Sequence, residues 1–101
     1  MKIGISAFAW TARFDRSHLD LLPSIKQIGL DAIEIPMFEP AMLPIAEIRE
    51  ACGTHGLECT VCAILPRSVN PISPRPEARK HAIEHLVQCV ETAAAMGAKV
   101  L

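Results

Sequence analysis

The chain has 101 residues, half of them hydrophobic, and a formal charge of −1 with acidic and basic residues interspersed. This is a globular composition. There is no basic face to invite nucleic acid and no apolar stretch long enough to span a bilayer. The N-terminal "MKIGISAFAW" turns polar too soon for a secretion signal. A cytoplasmic protein is therefore expected, and its four cysteines (Cys52, Cys59, Cys62 and Cys89) are read as reduced thiols.

In chain order, a first strand is expected near residues 2–8 and a helix over 17–28. That helix starts near Asp20, because Pro23 is tolerated only in an opening turn. A second strand follows near 32–37 and a helix over 44–55. A third strand is expected near 58–65, a long helix from Glu77 to Met96, and the start of a fourth strand at 98–101. "KQIGLDAIEI", "GTHGLECTVC" and "AAMGAKVL" repeat one device. Each passes from helix through a glycine (Gly29, Gly56 or Gly97) into an apolar strand. In the long helix Ile83, Leu86, Val87, Val90 and Ala94 recur at helical spacing and are expected to be its buried stripe.

Strands alternating with helices imply a parallel sheet with right-handed crossovers. No glycine-rich phosphate loop follows the first strand, which favours a (β/α)8 barrel over a doubly wound sheet. A complete barrel takes about 250 residues. Residues 1–101 are therefore expected to be one domain's N-terminal part: its first three βα units and the start of the fourth strand.

Strand side chains alternate. Ile33 and Ile35 are expected to face the helices, while Ala32, Glu34 and Pro36 face the barrel interior. A carboxylate buried without a partner costs several kcal/mol, so Glu34 is either a structural hydrogen-bonding group or a residue looking into the catalytic mouth. That mouth lies at the C-terminal ends of the strands.

"FAW" at the end of strand one, "IGLDAIEIP", "HGLECTVC" and "SPRPEARKHAIEHLVQCVETAAAMGAKVL" together resemble the sugar isomerase and epimerase family with a xylose-isomerase-like barrel. Within it they are most similar to the D-tagatose 3-epimerase and D-psicose epimerase group. The resemblance implies epimerisation of a ketohexose by proton transfer beside the carbonyl. It also implies a divalent metal, Mn2+ or Co2+ with Mg2+ as a further candidate, and a small-molecule sugar substrate in a homo-oligomer. Phe8 and Trp10 would form an apolar wall, Glu34 would support the site and Cys62 would approach the sugar, with Ala63 and Ile64 as competitors. Arg67 and Asn70, in the loop after strand three, could reach a hydroxyl. The metal ligands and catalytic residues are implied on later strands beyond Leu101. An aromatic common near Ser6 in relatives is missing. Hydroxypyruvate isomerase and inosose dehydratase chemistry are near alternatives. An abasic-site endonuclease barrel and a self-associating fragment without catalysis are the rivals from other classes.

Two further patterns are read as bland. "HAIEH" spells the H-x-x-E-H pattern of inverted zinc peptidases, but His81, Glu84 and His85 lie opposite the expected stripe and should face solvent. "CTVC" puts Cys59 and Cys62 three apart in a strand, on opposite faces, so they cannot pair. Ser73 is a candidate helix cap ahead of Pro74.

Overall fold

The computed structural model describes residues 1–101. Three parallel strands, β1 (Gly4–Ser6), β2 (Ala32–Met37) and β3 (Glu58–Ala63), form one sheet in the order β1-β2-β3. Helices α1 (Leu21–Gln27), α2 (Ile45–His55) and α3 (Pro76–Ala95) connect and follow them. The result is a partial barrel of three βα units.

The parallel register sorts the strand residues into two layers. Ile5, Ile33 and Cys59 share one row, Ile35 and Val61 the next, and Met37 and Ala63 the third. Ile33, Ile35 and Met37 are completely buried and join Leu22, Ile25 and Ile48 of the helices in one core. The other face carries Gly4, Ala32 and Glu58, then Ser6, Glu34 and Thr60, then Pro36 and Cys62. It lacks helices, and it is the barrel's inner face.

The repeated glycine device is present. Gly29, Gly56 and Gly97 all have positive φ just past a helix. At Gly56 (φ 63) the turn lets the Leu57 N–H donate to Cys52 O at 2.9 Å, closing α2 and launching β3. Gly4 is glycine for want of space. A Cβ there would lie 2.9 Å from Ala32 Cβ and 3.0 Å from Ala32 O. Gly4→Ala is expected to cost about 1–3 kcal/mol by forcing β1 away from β2, measurable by urea unfolding. An unchanged midpoint would mean that β1 shifts freely.

Three expectations need correction. β1 ends at Ser6, because the Ser6 hydroxyl accepts from Phe8 N–H and opens a 3-10 turn over Ala7–Ala9 that buries Ala7. Phe8 and Trp10 thus leave the strand. No fourth strand is formed at 98–101, where Val61 N–H donating to Val100 O at 3.0 Å is one bond and not a ladder. Ser73 does not cap α3; Pro76 opens that helix after Arg75, and the Ser73 hydroxyl accepts from Arg75 N–H within the preceding turn. The first helix does begin just after Asp20. A separate 3-10 turn over Arg16–His18, capped by Asp15, precedes it, and Pro23 does fall in the opening turn of α1.

The largest correction concerns α3. Its buried line is Ala82, Cys89 and Ala93, with Met96 just beyond, whereas Ile83, Val87 and Val90 are exposed. Small side chains let α3 approach the sheet and α2, and Arg49 of α2 donates to Ala95 O at 3.3 Å. This rotation leaves His81 in solvent but carries His85 to a half-buried place. Its Nε2 is shut off from water and has no partner. His85 is therefore not the fully exposed residue that the apolar stripe implied.

Candidate functional site

The inner face positions Glu34. Ile33 and Ile35 anchor β2 in the core, so the intervening side chain must point the other way. Glu34 stands between Ser6 on β1 and Thr60 on β3. Adjacent strands lie about 4.8 Å apart, which makes a continuous polar row. No ion pair engages the Glu34 carboxylate. It is not a buried group without a partner either, because it opens onto the inner face. The apparent contradiction of an acid among isoleucines thus resolves by alternation.

One step further along the strands, Pro36 and Cys62 are register neighbours on the same face. A shallow concavity of about 730 Å³ wraps the open edge of β3, lined by Glu34, Thr60 and Cys62 from the inner face and by Val61, Ala63 and Leu86 from the helix side. Glu34 and Cys62 share the inner face, while Ala63 belongs to the helix-side row and meets the concavity only at the strand edge. At the N-terminal end of the face, Glu58 is engaged by Lys2. Their hydrogen bond, reinforced by the opposite charges, holds Glu58 below the usual carboxylate range and Lys2 above the usual amine range.

Beyond the C-terminal ends of the strands is an aromatic rim. The Phe8 ring meets Phe38 edge-on, with centroids 6.3 Å apart and planes at 82°. This contact joins the turn after β1 to the residue following β2. Sequence reasoning overlooked Phe38, since it lies one residue past the alternating strand; the signal available was its aromatic character at a strand end. Phe38 also lines a cleft of about 180 Å³ with Arg13, Phe14, Pro36 and Met42. Trp10 closes the 3-10 turn and is 45% exposed. Arg67 is exposed on the turn after β3. Neither Trp10 nor Arg67 shares the concavity with Glu34 and Cys62. Asn70 is occupied in its own loop, its side-chain oxygen accepting from Ile72 N–H at 3.0 Å.

This arrangement suits a polyhydroxylated ligand. The Glu34 carboxylate can accept hydrogen bonds from hydroxyls. The Ser6 and Thr60 hydroxyls lie beside it, and the aromatic rim offers apolar surface to the C–H faces of such a molecule. The residues present do not fit a divalent metal. Glu34 is a single carboxylate flanked by two hydroxyl side chains, and no group of three or more His, Cys, Asp or Glu residues could hold an ion. No helix is long and apolar enough to cross a membrane.

Residues 22–101 match the family described as "Xylose isomerase-like TIM barrel". The chain belongs to that family. It is 27% identical over 99 residues to a ketose 3-epimerase from Arthrobacter globiformis, a match covering 97% of this chain and 34% of the relative. It therefore spans about a third of the length of the curated relative it matches. Among solved structures it resembles an L-ribulose 3-epimerase with a TM-score of 0.86 and 26% identity, covering 99% of this chain and 35% of the other. A D-allulose 3-epimerase from Methylomonas sp. in complex with D-allulose superposes with a TM-score of 0.87 at 18% identity, covering 97% and 34%. That last likeness establishes the fold alone. The match to xylose isomerase-like barrels agrees with the resemblance read from the sequence and with the parallel β/α order.

Proposed function

We propose that residues 1–101 are the first three βα units of a single-domain sugar epimerase barrel. In it they form part of the wall that binds a ketose. The observation that carries this reading is the inner face on which Glu34 stands between Ser6 and Thr60 with Cys62 one step beyond, in a chain similar to proteins named ketose 3-epimerase and L-ribulose 3-epimerase. The reaction would remove a proton from the carbon beside a ketose carbonyl and return it to the opposite face.

In this proposal Glu34 orients the sugar by accepting hydrogen bonds from its hydroxyls. Phe8, Trp10 and Phe38 supply the apolar wall and exclude water, Cys62 packs near the sugar, and Arg67 reaches it from the loop after β3. The acid–base groups belong to residues beyond Leu101. So do the ligands for a divalent ion, Mn2+ or Co2+ and alternatively Mg2+, because residues 1–101 do not assemble such a site. The working protein is proposed to be cytoplasmic and homo-oligomeric, with a free sugar as its small-molecule partner.

The test compares residues 1–101 alone with a complete barrel that carries them, each given manganese or cobalt and then D-fructose, D-tagatose and D-allulose. The expected result is turnover by the complete barrel, and neither turnover nor tight metal binding by residues 1–101. Comparable turnover by residues 1–101 would overturn the placement of the acid–base groups. Turnover by neither would remove the ketohexose assignment.

A further inference from the structure

Connections of about 12 residues or more without secondary structure are uncommon in compact domains and are usually either functional or disordered. The loop after β3, residues 64–75, is a connection of that kind, yet it is tied throughout. Val69 N–H donates to Pro66 O at 2.8 Å, Ser73 N–H to Asn70 O at 3.3 Å, and Arg75 N–H to the Ser73 hydroxyl at 3.2 Å. Val69 and Ser73 are buried, which anchors the loop to the body of the fold, and Pro66, Pro71 and Pro74 stiffen its backbone. Arg79 of α3 makes the tie between loop and helix. Its Nη1 donates to Ser73 O at 2.8 Å and to Pro74 O at 3.1 Å. No carboxylate pairs with it. The side chain is half-buried near the N-terminus of α3, where the helix dipole favours acidic residues over basic ones. Helix stability therefore does not account for an arginine at this position, whereas the two loop carbonyls do.

We propose that Arg79 is a positioning residue for the sugar site, holding the loop after β3 in its binding arrangement before the sugar arrives. The loop leaves the sheet at the C-terminal end of β3, just past Cys62, and carries Arg67. The proposal rests on the epimerase reading above, in which Arg67 reaches the sugar. Arg79 itself spends its hydrogen bonds on Ser73 O and Pro74 O and makes none to the sugar. It acts by raising the fraction of molecules whose loop is in place, and apparent affinity scales with that fraction.

The test has two arms. In the first, the full folded chain is treated with trypsin and nicking between Arg67 and Ser68 is followed by mass spectrometry; Arg75 is protected by the proline that follows it. The unsubstituted chain should resist at Arg67 although that residue is exposed. Arg79→Ala should be nicked there roughly 10-fold faster or more, the effect of losing a hydrogen bond from a charged donor, with Arg79→Lys in between. In the second arm, a complete barrel carrying Arg79→Ala should show a severalfold higher KM for D-fructose with kcat nearly unchanged, and Arg79→Lys should recover part of the loss. Rapid nicking of the unsubstituted chain would overturn the proposal even if the variants fail to fold. Equal nicking of the chain and Arg79→Ala would overturn it too, as would faster nicking with KM unchanged or a fall in kcat alone. A complete barrel that turns over no ketose removes the epimerase reading and the positioning role with it, whereas turnover with KM indifferent to Arg79 removes the positioning role alone.

Discussion

Replacing Ile35 by alanine is expected to lower the unfolding free energy by about 2–5 kcal/mol, the usual cost of removing a fully buried aliphatic side chain. Ile35 is completely buried in the central strand, in register with buried Val61 on β3. The cavity left behind would be bordered by rigid strand backbone, so it cannot collapse as a surface site would. In a chain of this size each kcal/mol moves the melting temperature by roughly 4–8 °C. Ile83→Ala supplies the contrast. Ile83 is 60% exposed on the outward side of α3, so its loss should change stability by less than about 0.5 kcal/mol. Thermal and urea unfolding of both variants measure the two effects side by side. If Ile83→Ala cost as much as Ile35→Ala, α3 would be rotated to bury the stripe its apolar residues suggest, against the burial of Ala82, Cys89 and Ala93.

Substituting Glu34 should do the reverse, sparing the fold and damaging the proposed activity. No ion pair within residues 1–101 involves its carboxylate, so Glu34→Gln should leave the melting temperature nearly unchanged. A hydrogen bond to a charged group contributes about 1.5–3 kcal/mol. Its loss in a sugar complex corresponds to roughly a 10- to 150-fold fall in kcat/KM. Steady-state kinetics of a complete barrel, paired with its melting curve, separate the two roles. A large drop in melting temperature with kcat/KM unchanged would make Glu34 a structural group.

Alternation and glycine placement made the sheet legible. Ile33, Glu34 and Ile35 sort onto the two faces as their polarity requires, and the same rule separates Cys59 from Cys62. The turn after β1 was not legible, because "SAFAW" reads as a strand until the Ser6 side chain is seen to satisfy the Phe8 N–H and curl the backbone. The α3 face misled for a different reason. Periodicity finds an apolar stripe, but which stripe touches the sheet depends on how closely the helix can approach. Here alanine and cysteine permit the closer packing. Of the site residues, Glu34 and Cys62 were readable because strands constrain them. Trp10, Arg67 and the Phe8–Phe38 contact lie on turns, where no period governs direction.

The claim at the centre is that the inner face carrying Glu34 belongs to a barrel that moves a proton beside a ketose carbonyl. Incubating a complete barrel that carries these residues with D-fructose in deuterated water, and following the sugar by NMR, tests it most directly. The account predicts deuterium at C3 together with appearance of the C3 epimer, both slowed by Glu34→Gln. Protein that is folded and metal-loaded yet leaves the C3 proton of D-fructose, D-tagatose and L-ribulose unexchanged would contradict it.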